Sequence, residues 1–306
     1  MTSSDPLFNA VPDLPVFGSA QFTGRRRLAL NLLGRCLRRQ SILLYGGPKL
    51  GKTSLLLHLK WLIDQDCKAS PAMPEALYLD LSDRATLEQL LVGRWPSPSL
   101  ILLLDNCDRV IKENPIDKVQ NFIKRASAVH ATVWAGQRLW HDFARDHGCS
   151  SDLRPVPLAV LLQGEASELL QLRLTSNQTA AALSVGGTHP YVLKVLTHYM
   201  LSLQGDPMSA IPGARDHLIP FFQACHQAIR QGPEEALLKY LIQGARPVNT
   251  REASVAIGVA TIKSVADALC CIGLISRWNL NEGAMLQANC RIFNDWYLAT
   301  APIIHH

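Results

Sequence analysis

The stretch Gly46-Gly47-Pro48-Lys49-Leu50-Gly51-Lys52-Thr53-Ser54 constrains this chain more than any other. It follows G-x-x-x-x-G-K-[ST] and lies between an apolar run, Ile42–Tyr45, and a segment of helical periodicity. Glycines let such a loop wrap tightly, so that backbone N–H groups turn inward, and the helix behind it adds the positive end of its dipole. A concave nest of donors beside a lysine takes phosphate. The spacing therefore predicts a nucleoside triphosphate site, with ATP and magnesium as its ligands. Lys52 is expected to reach the β- and γ-phosphates, and the Thr53 hydroxyl to ligate the metal.

Short apolar runs recur on both sides of this loop: Ser41–Tyr45, Ala76–Leu81, Leu100–Leu104, Ala131–Ala135 and Arg154–Leu158. Runs of this length suit strands buried on both faces of a parallel sheet, and Thr53–Asp64 and Ile116–Val129 are long enough for crossover helices. The alternation predicts an α/β fold, a doubly wound domain over residues 21 to 160. Residues 1 to 20, rich in proline and small polar side chains, read as a flexible tail. Helical patterns follow at Glu165–Leu174, His189–Leu203 and His217–Ile229, predicting a helical lid over 161 to 230 that breaks at Gln231-Gly232-Pro233. From there, helices at Glu234–Gln243, Thr250–Ala256 and Ala260–Cys271 precede strands at Leu274–Trp278 and Ala284–Gln287, turning at Asn281-Glu282-Gly283. With a last helix over Ile292–Leu298, this is the layout of a winged helix, over 231 to 302.

Magnesium at such a loop needs an acid from elsewhere, and Leu100-Ile101-Leu102-Leu103-Leu104-Asp105 offers one. Burial of the strand carries Asp105 to the carboxyl edge of the sheet, where ligands of such folds bind. Thr53 and Asp105 are the expected metal residues. The next residue is Asn106, which can position water by hydrogen bonding but takes no proton from it. Asp108 stands two positions further on as a substitute acid. Gln137, at the exit of Ala131–Ala135, is expected either to meet the γ-phosphate and its water or to sit on a surface loop. Arg138, Arg145 and Arg154 are candidates for an arginine acting on a neighbouring copy's nucleotide.

Composition bounds the rest. The 306 residues are 48% apolar and carry a net charge of +5. No apolar run approaches the ~20 residues of a membrane span, and the amino-terminal stretch lacks the pattern of a signal peptide. Eight cysteines in irregular spacing give neither a zinc pattern nor a disulfide framework, so reduced thiols in a cytoplasmic setting are expected. The basic excess gathers at Arg25, Arg26, Arg27, Arg35, Arg38 and Arg39, either a solvated helix face or a surface for phosphates or an acidic partner.

Taken together, these segments resemble the AAA+/STAND group of P-loop ATPases, in particular bacterial and archaeal members with a winged helix behind the lid. Phe22-Thr23-Gly24-Arg25 is similar to the F-x-G-R motif that closes over the adenine, which would make Gly24 and Arg25 nucleotide-binding. The P-loop, Leu104-Asp105-Asn106-Cys107-Asp108-Arg109 and Ala135-Gly136-Gln137 follow in the group's order. Gly186-Gly187-Thr188-His189-Pro190-Tyr191 resembles its G-x-P module, placing Pro190 near the base. Arg291-Ile292-Phe293-Asn294-Asp295-Trp296 resembles a terminal helix seen after such wings. The resemblance spans 21 to 300 and implies a sheet of order 5-1-4-3-2.

Two departures stand out from the group's pattern. Asn106 replaces the usual glutamate, implying slow turnover. No arginine follows Gly187 where oligomeric machines of the group carry one, with Lys194 a weak stand-in. Both favour a switch over a motor. The expected recognition helix, Thr261–Cys271, offers only Lys263 and carries Asp267, with Arg251, Arg277 and Arg291 nearby. This is sparse for reading bases. The sequence thus implies an ATP-binding molecular switch that hydrolyses slowly and relays its state to a protein partner or to copies of itself, as in signalling or defence complexes. The alternative is a DNA-binding ATPase of the replication-initiator or transposition-regulator type.

Overall fold

The structure, a computed structural model, describes residues 14–16, 18, 22–69, 74–149, 153–203, 207–280 and 283–300. Most of the expected tail over 1 to 20, and the turn at Asn281-Glu282, lie outside them. The chain forms two compact units. One is Pro15–Gly46 with Gly51–Leu158, and the other is Met1–Leu14, Gly47–Leu50 and Ala159–His306.

The first unit holds a five-stranded parallel sheet of β1 (Ile42–Tyr45), β2 (Ala76–Asp80), β3 (Ile101–Asp105), β4 (Ala131–Gly136) and β5 (Arg154–Pro157). Its order is β2-β3-β4-β1-β5. Its helices are α1 (Arg26–Leu37), α2 (Lys52–Ala69), α3 (Arg84–Leu91), α4 (Asp108–Glu113), α5 (Ile116–Val129) and α6 (Arg138–Asp146). Every residue of β3 and β4 is buried, as expected of apolar runs covered on both faces. Below them Trp134 stacks on Trp140 at 5.5 Å between centroids, and Phe122 meets Trp134 edge-on. The Trp134 indole N–H donates to Thr132 Oγ1 at 2.7 Å, so burial of that ring leaves its polar edge satisfied. Helices α3 and α6 fill stretches between strands whose length allows crossover helices, and α4 is a further short helix after β3. Asp83 caps α3, its carboxylate accepting from the N–H groups of Ala85 and Thr86.

The second unit begins with α7 (Gln163–Gln171), α8 (Ser176–Gly186), α9 (Pro190–Ser202) and α10 (Ile211–Gln227). It continues through α11 (Pro233–Gly244), β6 (Val248–Asn249), α12 (Thr250–Ile257) and α13 (Ile262–Ile272). The strands β7 (Ile275–Leu280) and β8 (Gly283–Ala288) and the helix α14 (Arg291–Thr300) complete it. The strands form an antiparallel sheet of order β6-β8-β7. Several boundaries differ from expectation. Thr261 precedes α13 rather than opening it, α10 starts six residues before His217, and β6 was not anticipated. Helix α8 was missed outright, because Ser-Asn-Gln-Thr-Ala-Ala-Ala carries no apolar stripe; its start is set instead by a capping box of Thr175 and Gln178. One apolar cluster runs from Val185, Leu196 and Phe222 through Leu241, Leu269 and Leu286 to Phe293 and Tyr297.

A single amide ties this unit together. Asn289 Oδ1 accepts from the Thr188 N–H at 3.4 Å, the Thr188 hydroxyl at 3.2 Å and the Ser276 hydroxyl at 3.1 Å. Its Nδ2 donates to the Gly273 carbonyl at 3.3 Å. Such an approach requires glycine at 187, where φ is 61° and an added Cβ would stand 1.7 Å from the Asn289 carbonyl oxygen. Gly187→Ala is expected to destabilise the chain by about 2–4 kcal/mol, and Asn289→Ala by about 1–3 kcal/mol. Urea unfolding followed by circular dichroism checks both. Midpoints equal to the wild type would refute this account of residues 187 and 289.

Candidate nucleotide-binding site

The loop expected to hold phosphates runs from β1 to α2. Its backbone turns left-handed at Lys49 (φ 55°) and at Gly51 (φ 89°). Glycine adopts that conformation freely; a lysine in it costs roughly 1–2 kcal/mol, so the surroundings must hold Lys49 there. Within the second unit, the Lys49 ammonium lies 5.2 Å from the centre of the Tyr191 ring, a cation–π contact. In the same unit the Gly47 N–H donates to the Cys271 carbonyl at 2.6 Å. A Cβ on Gly47 would stand 2.4 Å from the Ile272 carbonyl oxygen, so close approach of backbone explains this glycine. Pro48 and Leu50 complete the tip, and Leu50 is fully buried.

Lys52 is the first residue of α2, and its ammonium donates to the Gly46 carbonyl at 2.9 Å, folding back over the loop. Thr53 follows, and its hydroxyl donates to Asp105 Oδ2 at 2.6 Å. Ser54 is turned away: its hydroxyl oxygen accepts from the Val16 N–H at 3.1 Å. Asp105 ends β3 with only 1% of its surface exposed. The Tyr78 hydroxyl donates to the same Oδ2 at 3.0 Å, and the Asn106 N–H donates to Oδ1 at 2.9 Å. A buried carboxylate is tolerated only with such donors. Burial, followed by the charge of Asp105 and their shared hydrogen bond, pushes the Tyr78 hydroxyl far above its ordinary pKa. Thr53 and Asp105 bring two hard oxygen donors together from two elements, which fits a magnesium ion.

The expected residues before α1 stand beside the start of α2. Arg25 precedes α1 in a left-handed conformation and is 8% exposed. Its guanidinium lies beside Gly51, 3.2 Å from where a Cβ there would be. Gly24 before it has φ 78°, and Phe22 stacks on His58 of α2 at 4.1 Å. The Phe22–Arg25 segment is therefore laid along the beginning of α2. Pro190 is the first residue of α9, in the second unit. Lys194 donates to the Leu14 carbonyl.

Asn106 and Asp108 are both committed to protein partners. Asn106 has φ 56°, and its Nδ2 donates to Asp80 Oδ1 at 2.8 Å. Asp108 begins α4, and its Oδ2 accepts from the Gln137 N–H at 2.7 Å while its Oδ1 is buried without a partner. Gln137 is the residue before α6, exposed, with its main chain held by that carboxylate. The arginine candidates are placed elsewhere. Arg138 and Arg145 pair with Asp142, and Arg154 starts β5 opposite Ile42, at the amino edge of the sheet. Two residues that sequence reasoning passed over stand in the site, Tyr78 and Asp80. Their signal was present, since Leu77-Tyr78-Leu79-Asp80 is an apolar strand ending in aspartate, like the one ending in Asp105.

No protein-family model and no curated protein matches the chain. Solved structures do. The Walker-type ATPase PABY2304 of Pyrococcus abyssi superposes with a TM-score of 0.60 at 12% identity, over 94% of this chain and 99% of that one. The Aeropyrum pernix ORC1 protein in complex with DNA gives 0.47 at 14% identity, over 92% and 94%. AMPPCP-bound DnaA from Aquifex aeolicus gives 0.44 at 16%, over 80% and 83%. The first of these shares its fold with this chain, whose sheet is parallel and five-stranded.

Burial sets a pH dependence at Asp108. It raises the carboxyl pKa, and the Gln137 N–H and the Lys52 charge only partly offset it. The folded state then binds a proton more readily than the unfolded chain. Stability from this group is full below the ordinary carboxylate pKa of about 4 and declines as pH rises through the raised value. Asp108→Asn keeps an oxygen for Gln137 and cannot ionise. It should melt about 2 °C or more above wild type at pH 7 and together with it near pH 4. A lower melting temperature at pH 7 would refute the account.

Proposed function

We propose that this chain is an ATP-binding molecular switch that hydrolyses ATP slowly, with magnesium, and passes its nucleotide state to a partner protein or to copies of itself. The observation that carries the reading is the 2.6 Å bond between Thr53 and Asp105, which joins the P-loop helix to the end of β3. With Lys52 at the head of α2, it supplies a cation for the β- and γ-phosphates and two oxygens for the metal. Magnesium, held by Thr53 and Asp105, would neutralise developing charge on the phosphates. The chain's own residues do the rest. Backbone N–H groups of residues 49 to 53 and the dipole of α2 bind the phosphates. The Phe22–Arg25 segment borders the base, and Asn106, Asp108 and Gln137 border the reacting end.

In this proposal the region from 161 to 230 is a lid, and 231 to 302 a winged helix formed by α11 to α14 with the β7–β8 hairpin. The second reading, a DNA-binding ATPase of the replication-initiator or transposition-regulator type, needs cations on that winged helix. Arg277 is bound to Asp267 of α13, Arg291 pairs with Asp295 and Arg246 with Glu252, leaving Lys239, Arg251 and Lys263 as its bases without an ion pair among the described residues. This favours the protein-relay reading. Among the described residues no single helix is long and apolar enough to cross a membrane.

Lys52→Ala removes the principal cation and should weaken ATP binding about 10- to 150-fold, the worth of a charged hydrogen bond. Isothermal titration with magnesium and ATP measures it, and unchanged affinity would end the P-loop assignment. Duplex DNA should bind weakly at physiological salt, with a shallow salt slope. Submicromolar binding that Lys263→Glu with Arg251→Glu abolishes would put the DNA reading first.

A further inference from the structure

Asp105 is followed by an amide, so the residue next to the metal aspartate takes no proton from water at neutral pH. The structure shows where that amide goes. At φ 56° the Asn106 side chain reaches sideways to the neighbouring strand, and its Nδ2 donates to Asp80 Oδ1 at 2.8 Å. Asp80 ends β2 and is the register partner of Asp105, across a strand spacing of about 4.8 Å. The Ser82 N–H donates to the same Asp80 Oδ1 at 2.8 Å, which fixes the carboxylate at two points through one oxygen. The Ser82 hydroxyl also bonds the Asp80 carboxylate, which is only partly buried. The rival acid, Asp108, has one oxygen taken by Gln137 and the other shut away from solvent. Of the two acids, Asp80 is thus the one that solvent reaches at the carboxyl edge.

We propose that Asp80 is the general base for the attacking water, and that Asn106 positions it, so the acid stands on β2 and the amide on the turn after β3. The inference rests on the reading of this site as one that hydrolyses ATP. In the step, the water oxygen bonds to the γ-phosphorus. The bond from that phosphorus to the β–γ bridging oxygen breaks, its electron pair leaving with ADP. The water proton goes to the Asp80 carboxylate and from there to solvent. Asp80 is ready for this at neutral pH. Burial pushes its pKa up, but the hydrogen bonds from Asn106 and Ser82 outweigh it and bring the carboxyl below its ordinary value, against the charge of Asp83. The other charged or titratable groups around it are Asp105 and Tyr78, and Arg109, which donates to the Ser82 carbonyl.

The test exchanges the two side chains. Turnover against pH and ATP affinity by titration calorimetry are measured for the wild type, Asp80→Asn, and the double variant Asp80→Asn with Asn106→Asp. Asp80→Asn should lower kcat by about 10²–10³-fold with ATP affinity little changed, and should abolish the fall in rate at low pH. The double variant holds the same atoms in exchanged places. It should recover most of the rate and regain the fall at low pH, an outcome that a merely structural Asp80 would not produce. Should Asp80→Asn fail to fold, the double variant decides by the same two readouts. Unchanged kcat in Asp80→Asn, or a double variant that binds ATP and stays inactive, overturns the proposal. A wild type that binds ATP without hydrolysing it overturns this inference and leaves the nucleotide-binding reading standing. A wild type that binds no ATP overturns both.

Discussion

The Asp105 carboxylate is where the first unit's chemistry and its architecture meet. Its position comes from an apolar strand with a neighbour on each side, which forces an acid at the strand's end into a nearly closed place. A charge there survives only if donors converge on it, and they come from three elements: Thr53 from α2, Tyr78 from β2 and the main chain of Asn106. Each of these in turn is located by that carboxylate. The P-loop helix is pinned through Thr53, and β2 is locked in register so that Asp80 comes level with Asp105. The turn after β3 is set so that Asn106 reaches Asp80.

A second constraint acts at the loop itself. Motif spacing alone asks for glycines, yet the left-handed position at 49 carries a lysine. The positive φ there is paid for locally, by the buried Leu50 beside it and by the contact of the ammonium with Tyr191. Gly47 is explained differently, since close approach of the Ile272 carbonyl is what excludes a side chain.

Much of this was readable from residues that lie near one another in the chain. The P-loop, the strand ending in Asp105 and the helix Ile116–Val129 are local patterns: fixed spacing, an apolar run with a polar end, an amphipathic period. What escaped reading depends on register or on burial. Asp80 and Tyr78 matter because β2 pairs with β3 in one alignment, and nothing within either segment encodes it. Asp108 was read as a spare acid by its distance from Asn106, whereas the start of α4 turns its carboxylate toward the Gln137 N–H. Helix α8 has too few large apolar residues to declare a face. Asn289 is a lone amide between a strand and a helix, significant only because Thr188, Ser276 and Gly273 close on it.

The apolar cluster that passes without interruption from α8 to α14 bears on how this part of the molecule breathes. Local opening of a protein follows the seams between its cores, because exposing part of a shared core forfeits contacts on both sides of the opening. Among the described residues no such seam separates α8–α10 from α11–α14: Phe222 of α10 packs on Phe293 and Trp296 of α14. The amides of these helices are therefore expected to exchange as one block, the slowest of them through opening of the shared core.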